Sequence, residues 1–357
     1  MNKNVLQLGI NLGGWISQYQ ADDPQHFETF ITADDIKRIA EWGMDPVRLP
    51  VDYPVLEDTR SSPVDDSQPG NYKDSGFEYI ESCLDWCQAN GLRVILDLHK
   101  APGFAFDVFD KASLFDNPKI QDRFLDLWTA IASRFGGRMK DMLAFELLNE
   151  IVLPDSGPWN TFVKRAVERI RALDAERLIL VGSNFFNSAD ELQNLDVLDD
   201  PNILYTFHFY LPMTITHQRA PWVEPIFEYN RQLEYPGEQA DGFEAIVEKY
   251  PSLRLEWEVG ISFDKEYLRA ALQPALDFAQ RIGQPVYCGE FGVYERASMS
   301  TRLNWTRDVV DLLDEYQIGR AYWTYKDLDF GLLDKNGQVV NQELLGIVSK
   351  RYDHVQE

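Results

Sequence analysis

Short apolar segments alternate along the chain with longer amphipathic ones. Eight of the apolar segments have the length and composition of buried strands; they are Val5–Ile10, Pro46–Leu49, Arg93–Leu98, Leu143–Leu148, Leu178–Val181, Ile203–Phe207, Pro285–Cys288 and Arg320–Trp323. Helical periodicity follows most of them, as in Ala33–Trp42, Gly76–Asn90, Ile120–Phe135, Trp159–Leu173 and Arg302–Tyr316. Eight strand-then-helix units predict an α/β fold in which parallel strands close into a (β/α)8 TIM barrel.

A doubly wound open sheet is the alternative α/β fold. That fold usually carries a glycine-rich phosphate-binding loop after its first strand, whereas here the first strand runs into Asn-Leu-Gly-Gly-Trp at residues 11–15, which lacks the required spacing. The polar segment Thr59–Asn71 is predicted to be a surface loop. Without an internal repeat or a linker, residues 1–357 are interpreted as a single domain.

One interval between predicted strands is too long for a single barrel unit. About 75 residues separate Tyr210 from Pro285, where a loop and a helix need roughly 30. The helix Lys265–Ile282 can complete the unit, which leaves residues 211–263 as an insertion above the C-terminal face of the barrel. We expect a mostly helical subdomain beside the cleft, with most of its rings in its own core and one or two reaching a ligand; these rings are Trp222, Phe227, Tyr229, Tyr235, Tyr250 and Trp257.

Polar and aromatic residues recur where the predicted strands end, which is where barrel enzymes place their active sites. Taken singly, each has an ordinary structural explanation as a loop charge, a hydrogen-bonded histidine or a core ring. Together they bring two carboxyl groups, a guanidinium, two imidazoles, an amide, a phenol and an indole to one end of the barrel. The residues are Arg48, His99, Asn149, Glu150, His208, Tyr210, Glu290 and Trp323.

Two of these residues, Glu150 and Glu290, could hydrolyse a glycosidic bond. That reaction needs one protonated carboxyl to assist the leaving oxygen and one ionised carboxylate to attack the anomeric carbon. The two glutamates follow strands four and seven, on roughly opposite sides of the ring, so they can converge on a bound sugar. Arg48 is expected to keep Glu290 ionised, Tyr210 to donate a hydrogen bond to it, and His208 to orient Glu150.

The remaining residues of this set suit a sugar ligand. Asn149 could bind the 2-hydroxyl, a contact that strengthens in the transition state. His99 could bind another ring hydroxyl, and Trp323 offers a flat apolar platform for a pyranose.

These motifs together resemble glycoside hydrolase family 5. The similar segments are NLGGW, VRLP, LHKAPG, LLNE, HFY, GEFG and YWTYKD, and the resemblance extends from about Gly9 to Ser349. It implies a retaining barrel enzyme with Glu150 as acid/base, Glu290 as nucleophile and the other six residues as the supporting shell. One departure is Lys100, where the family often has a second histidine, and it concerns a sugar contact rather than the chemistry.

The resemblance also bears on the substrate. The order of motifs, including those inside the insertion, is similar to single-domain bacterial endoglucanases, so a β-1,4-glucan or cello-oligosaccharide is the expected substrate. β-Glucosidase, β-1,3-glucanase, mixed-linkage glucanase and β-mannanase activities remain alternatives on the same scaffold. No cofactor and no metal are expected.

The other acidic and histidine residues allow alternative interpretations. Glu146 and Asp97 are interpreted as buried acids paired with basic groups, and Glu256 and Glu258 as solvated or helix-capping residues. A metal-dependent hydrolase would need several clustered ligands, but the chain has 5 His, and the three outside the strand ends are placed in loops or at the terminus: His26, His217 and His354. A catalytically dead sugar-binding barrel is the non-enzymatic alternative.

Charge and composition limit the classes of partner that the protein is expected to bind. The formal net charge is −24, from 34 Lys and Arg against 58 Asp and Glu, so a polyanion such as nucleic acid is not an expected partner. Cys83, Cys87 and Cys288 are expected to be buried free thiols. No leader-like or membrane-spanning segment is visible, which predicts a cytoplasmic protein without membrane contact, or a secreted one if a leader has been removed. A monomer is expected.

Overall fold

A closed ring of eight parallel strands forms the centre of the protein. The computed structural model describes residues 1, 3, 6–58, 71–107, 112–251 and 258–350. The barrel strands are β1 (Leu8–Asn11), β2 (Val47–Asp52), β3 (Val94–Lys100), β4 (Leu143–Glu146), β5 (Leu178–Gly182), β6 (Ile203–Phe209), β7 (Val286–Phe291) and β8 (Gly319–Tyr322). The first strand pairs with both the second and the last, since Ile10 lies opposite Val47 and Tyr322. The predicted barrel is confirmed, and the doubly wound sheet was the wrong alternative.

Amphipathic helices surround this ring. The longer ones are α1 (Ala33–Glu41), α2 (Asp74–Ala89), α3 (Pro118–Phe135), α4 (Gly157–Arg171), α5 (Lys265–Ile282), α6 (Met299–Glu315) and α7 (Gln342–Val348). Side-chain capping explains where several of these helices begin. Asn117, for example, accepts a hydrogen bond from the Lys119 amide and is followed by proline at the first position of α3. The unit after β5 has only the 3-10 helix Asp190–Asn194 in place of a full helix.

Four short segments lie in the loops that connect strands and helices. Three are helical by their backbone angles, Pro24–Thr29, Tyr53–Leu56 and Ser113–Asp116. The fourth segment, Asn184–Asn187, is a left-handed turn, since φ is 49° at Phe185 and 58° at Phe186. The strand pair Glu57–Asp58 and Asn71–Tyr72 is antiparallel; of the predicted loop Thr59–Asn71, all but the last residue lies outside the described part of the chain. His26 lies in the first short helix, so its placement in a loop was wrong, and its Nε2 is 2.8 Å from the Gly14 carbonyl oxygen.

The barrel interior has two layers. An apolar layer fills its lower part; it consists of Leu6, Ile95, Ala144, Leu178, Leu180, Leu204, Tyr287 and Ala321. Side chains two residues apart on a strand share one face, so Asp97 follows Ile95 into the interior, and Glu146 follows Ala144. Both acids are fully buried. The polar residues therefore lie above an apolar floor, toward the C-terminal end of the strands, where the candidate site is expected.

Residues 211–263 rise from the end of β6. Their described part contains the helices Met213–Thr216, Glu224–Tyr229 and Phe243–Lys249 and the antiparallel strands Gly237–Glu238 and Ser262–Phe263. Helices make up less than half of this part, so the expectation of a mostly helical insertion is wrong; most of the other residues lie in turns and irregular loops. Tyr229 packs on Phe243 with ring centroids 4.9 Å apart, and the buried Tyr235 donates a hydrogen bond to Asp308 of α6. Trp222 and Phe227 are half exposed, whereas Trp257 lies outside the described residues.

The three cysteines are free and buried, as predicted. Cys83 and Cys87 lie one turn apart on α2, and Cys288 lies on β7. In the part of the chain that the structure describes, none of the helices is long and apolar enough to cross a membrane.

Candidate active site

A single buried guanidinium connects the strand-end residues. Arg48 projects from β2 into the barrel and is fully inaccessible to solvent. Its Nη1 donates to Glu290 Oε1 at 2.6 Å and to Asn11 Oδ1 at 2.9 Å. Its Nη2 donates to Asn149 Oδ1 at 2.9 Å. The side chains of β1, β2 and β7 and of the loop after β4 are thereby fixed relative to one another.

Glu146 occupies the remaining donors of the same guanidinium. Its Oε2 accepts from Arg48 Nε at 2.7 Å and its Oε1 from Nη2 at 3.1 Å. The geometry is bidentate, the arrangement in which an arginine–carboxylate pair is strongest. Glu146 is therefore a buried acid paired with a basic group, which confirms its structural interpretation.

Each carboxylate oxygen of Glu290 accepts a hydrogen bond from a different side chain. Arg48 contacts Oε1, and the Tyr210 hydroxyl donates to Oε2 at 3.0 Å. Burial raises the pKa of Glu290, while the positive charge of Arg48 and the hydrogen bond from Tyr210 act in the opposite direction. Both opposing contacts favour the ionised carboxylate, and both are the contacts predicted for Arg48 and Tyr210.

A β-bulge sets the position of Glu290 on its strand. The register between β6 and β7 shifts between Cys288 and Glu290, so that Glu290 lies opposite His208. Gly289 sits at this shift, where a Cβ atom would lie 2.9 Å from Thr206 Oγ1 and 3.2 Å from His208 Nε2. Glycine allows the two strands to approach this closely, and the bulge re-aims the following side chain.

Glu150 lies in a different electrostatic environment. Its Oε1 is 2.8 Å from His208 Nδ1, as the predicted orienting role requires. Burial raises the pKa of Glu150 well above its ordinary range, and the negative charge of Glu290 raises it further. Burial and the charge of Arg48 lower the pKa of His208 well below its usual value, so the imidazole is neutral. Glu150 thus favours the protonated form beside a carboxylate that is paired with a cation.

The backbone at Glu150 explains how consecutive residues face one site. Strand alternation would send Asn149 and Glu150 to opposite faces, yet Asn149 contacts Arg48 and Glu150 contacts His208. β4 ends at Glu146, and Glu150 has φ of 39°, in the left-handed region. Such a conformation is uncommon for a non-glycine residue and is concentrated at functional sites.

The two carboxyl groups converge as predicted. One oxygen of Glu150, one oxygen of Glu290 and one ring nitrogen of His208 all lie within 4.8 Å of one another. His208 Nδ1 is also 3.6 Å from Glu290 Oε2. Retaining glycosidases have carboxyl groups about 5 to 5.5 Å apart, whereas inverting ones leave room for a water molecule between more widely spaced groups. The observed spacing suits direct attack by one carboxylate.

A stacked pair of rings lies at the same end of the barrel. His99 and Trp323 have centroids 5.6 Å apart and planes only 4° from parallel. The His99 Nδ1 atom is 2.7 Å from Asp97 Oδ2, and burial lowers the pKa of His99 to about 4. Asp97 is fully buried and also lies 3.0 Å from Arg48 Nη2, so its interpretation as a paired buried acid is confirmed.

Some residues that support this arrangement are not among the predicted site residues. Asn11 accepts from Arg48 through Oδ1 and donates through Nδ2 to the Gly289 carbonyl oxygen at 3.0 Å. The motif NLGGW contained it, but an asparagine at a strand end does not by itself indicate a partner. Asn184 forms two hydrogen bonds of 2.9 Å with the backbone of Leu153, in the loop that carries Glu150.

An aromatic cluster borders the site on the side of the insertion. Trp222 packs on Tyr294 with centroids 4.8 Å apart, and His217 packs on Tyr210 at 5.0 Å. Phe330 contacts both of these pairs. His217 lies in a turn, in agreement with its predicted loop position, and it packs directly on a tyrosine that contacts Glu290. Half of the Trp222 surface remains exposed.

The other acids and Lys100 have local partners. Glu258 is buried and accepts from the Thr214 amide at 3.0 Å and the Thr214 hydroxyl at 2.7 Å, so it caps the helix Met213–Thr216 as predicted. Glu256 lies outside the described residues. Lys100 pairs with Asp107 at 2.6 Å.

Glu150, His208 and Glu290 also have the donor types of a metal site. Two of these groups already serve other partners, because His208 bonds to Glu150 and Glu290 holds the guanidinium of Arg48 at 2.6 Å. A second cation at Glu290 would be repelled by Arg48. The arrangement therefore suits proton transfer and nucleophilic attack better than metal coordination.

Comparison with known proteins agrees with this geometry. The model of the family described as Cellulase (glycosyl hydrolase family 5) matches residues 7–329. The chain belongs to glycosyl hydrolase family 5. Within this family, the chain is 45% identical over 344 residues to "Endoglucanase C" of Acetivibrio thermocellus, a match that covers 96% of this chain and 98% of that relative.

Two further comparisons extend the family relationship. "Cellodextrinase A" of Ruminococcus flavefaciens is 34% identical over 314 residues, covering 87% of this chain and 83% of that relative. Among solved structures, Thermotoga maritima Cel5A in complex with cellobiose superposes with a TM-score of 0.75 at 23% identity, covering 96% of this chain and 97% of that one. This structural similarity independently supports the (β/α)8 fold.

Replacing Arg48 should show how much of this site depends on one side chain. A lysine cannot reach Glu146, Glu290 and Asn149 at once, so we expect Arg48→Lys to lower the free energy of unfolding by about 3 kcal/mol. Urea unfolding followed by tryptophan fluorescence measures this. The control Arg307→Lys alters an exposed pair with Glu343 and should cost less than about 1 kcal/mol. Equal losses in the two variants would contradict the central role of Arg48.

Proposed function

We propose that this family 5 protein is a retaining endo-β-1,4-glucanase that cleaves β-glucans or cello-oligosaccharides by double displacement. The observation that carries the proposal is the pair of convergent carboxyl groups, within 4.8 Å, of which only Glu290 is paired with a cation. The 45% identity to a protein named "Endoglucanase C" supports the choice of substrate. A neutral polymer also suits a chain of net charge −24, whose self-repulsion favours a monomer.

In the first step, the Glu290 carboxylate attacks the anomeric carbon and forms a glycosyl ester. Glu150 gives its proton to the departing glycosidic oxygen, so the leaving sugar departs as a neutral alcohol. In the second step, the Glu150 carboxylate accepts a proton from water as that water attacks the same carbon. The ester bond breaks, Glu290 is released as a carboxylate, and Glu150 is protonated again.

The pKa values of the two acids suit these roles. Once Glu290 becomes an ester, its negative charge disappears, so the pKa of Glu150 falls. Glu150 is therefore an acid in the first step and a base in the second. In our proposal Arg48 and Tyr210 hold Glu290 ionised in the free enzyme, and His208 orients Glu150.

The remaining predicted residues would bind the sugar. Asn149 Nδ2 is buried and has no partner among the described residues, so it is assigned to the 2-hydroxyl. Trp323 provides the apolar platform under the pyranose, and His99, stacked on Trp323, contacts another ring hydroxyl. These assignments follow the positions of the side chains around Glu150 and Glu290.

We further propose that residues 1–357 act as one catalytic domain and that residues 211–263 form one wall of its cleft. Support comes from Trp222, which extends the apolar surface that Tyr294, Phe330 and Trp323 form next to the site. Its half-exposed ring is the surface that could contact a glucose unit.

The stereochemistry of the first products tests the mechanism. Hydrolysis of cellotetraose followed by proton NMR should first give the β-anomer, because two inversions at one carbon retain configuration. Initial α-anomer would disprove double displacement. A product profile on cello-, manno- and laminari-oligosaccharides in the same assay should favour the cello series if the substrate assignment is correct.

Removing the nucleophile tests the residue assignment. Glu290→Gln should reduce kcat by at least about 10³-fold, because an amide cannot attack as a carboxylate does. The circular dichroism spectrum of the variant should match that of the wild type, which would show that the fold is intact. The exposed control Glu343→Gln should retain wild-type turnover. Retention of most activity in Glu290→Gln would refute the assignment, and a wild-type protein that binds cello-oligosaccharides without turnover would support a non-catalytic barrel.

A chelator separates this mechanism from metal-dependent hydrolysis. Because Glu150 and Glu290 act through protons and a covalent bond, extensive dialysis against EDTA should leave kcat unchanged. Loss of activity that added divalent metal restores would favour a metal at Glu150, His208 and Glu290 instead.

Trp222 provides a test for the insertion. Trp222→Ala should raise KM for cello-oligosaccharides by about fivefold, because an aromatic stacking contact is worth about 1 kcal/mol, and should leave kcat nearly unchanged. Phe227→Ala removes a similarly exposed ring of the same segment and should have little effect. If both variants matched the wild type, the insertion would not contact the substrate.

A further inference from the structure

We propose that Asp97 is a positioning residue that fixes the proton of His99 on Nδ1, so that Nε2 accepts a hydrogen bond from a sugar hydroxyl. The inference rests on the proposed function, in which His99 contacts the sugar. It adds a residue to the site and specifies the direction of one hydrogen bond to the sugar, because an unprotonated Nε2 binds a hydroxyl that donates.

Asp97 has one specific hydrogen bond in the described structure. Its Oδ2 lies 2.7 Å from His99 Nδ1, and its Oδ1 has no hydrogen-bond partner among the described residues. Oδ2 is also 3.0 Å from Arg48 Nη2, but the two protons of that nitrogen are directed to Glu146 Oε1 and Asn149 Oδ1. The contact of Asp97 with Arg48 is therefore an attraction between charges, whereas its contact with His99 is a directed bond.

The charge of Arg48 decides on which side of this bond the proton lies. A neutral imidazole carries one proton, and His99 is neutral because burial lowers its pKa to about 4. The guanidinium 3.0 Å from Oδ2 stabilises the carboxylate form of Asp97, so the shared proton belongs to Nδ1. Burial opposes this effect and raises the pKa of Asp97 to about 7; the arrangement is thus best populated above pH 7.

Ring packing alone would not select the same nitrogen. His99 stacks on Trp323 and meets Phe106 edge-on at 5.1 Å, and both contacts would persist if the imidazole turned by 180° about its own axis. That turn would replace Nδ1 by a carbon atom and leave Asp97 without its bond. Asp97 therefore fixes both the ring orientation and the tautomer, and Nε2, which has no hydrogen-bond partner among the described residues, presents a lone pair.

The tautomer can be measured in the wild-type protein without substrate. Nitrogen-15 NMR of histidine-labelled protein at pH 8, with His99 assigned from single-histidine variants, should show a proton on Nδ1 and a bare Nε2. The opposite tautomer would overturn the inference. Because this measurement needs no turnover, its outcome is independent of the tests of Glu290 and of product stereochemistry.

Kinetics then test whether Asp97 acts through His99. In Asp97→Asn, the amide can donate to Nδ1 and move the ring proton to Nε2, so we expect kcat/KM for cellotetraose at pH 8 to fall about tenfold, the upper end of the range for a hydrogen bond between neutral groups. The loss should appear mainly in KM. Asp314→Asn is the matched control, because Asp314 is a largely buried acid paired with Arg320 away from the site, and it should stay within twofold of the wild type.

A double variant separates the two neighbours of Asp97. If Asp97 acts through His99, adding Asp97→Asn to the His99→Gln variant should lower kcat/KM by less than about twofold further, because the effects of substituting two interacting residues are not additive. A further tenfold loss in the His99→Gln background would mean that Asp97 acts through Arg48, and would refute the inference. Should Asp97→Asn fail to fold, the wild-type NMR measurement still decides the tautomer.

Discussion

The buried guanidinium of Arg48 is the interaction on which the rest of the site depends. A charge inside a barrel is tolerated only when every donor is satisfied, and here the acceptors come from β1, β4 and β7 and from the loop after β4. Each acceptor thereby receives a fixed position relative to the others. The contact that satisfies Arg48 also lowers the pKa of Glu290 against the effect of burial, whereas Glu150 has no such partner and its pKa is raised by the charge of Glu290. One cation, placed off-centre, thus contributes to making two chemically identical side chains different.

Much of the fold could be predicted from the sequence because each strand carries its own signal. All eight strands were identified from short apolar runs, and the barrel followed from their number and from the helices between them. Strand ends were less accurate: β7 continues to Phe291 rather than ending at Cys288. The residues near this end face polar partners instead of an apolar core, so hydrophobicity does not reveal them. The insertion was located by counting residues, but its short helices and loops have too little periodicity for a detailed prediction.

The candidate site could be predicted to the extent that strand ends are recognisable. Seven of the eight predicted residues lie at or just beyond the C-terminal ends of their strands, and Arg48, the second residue of β2, reaches them with its side chain. The expected contacts of Arg48, Tyr210 and His208 with the two acids are present. The roles of Asn11 and His217 could not be predicted, because each depends on which side chain a distant segment brings into contact. Nor does the sequence reveal the left-handed backbone at Glu150 that turns two successive side chains toward one centre.

The apolar floor of the barrel has a consequence for the order of events. Leu180, Leu204 and Tyr287 are among the residues that block the interior below Arg48, so molecules reach the acids only from the open end. In a double-displacement cycle, the water that releases the glycosyl ester must therefore enter by the route along which the first product departs. An alcohol present in high concentration would compete for that single entrance. The fraction of the glycosyl ester that is hydrolysed, rather than transferred to another sugar, would thus depend on how quickly solvent refills the vacated side of the cleft.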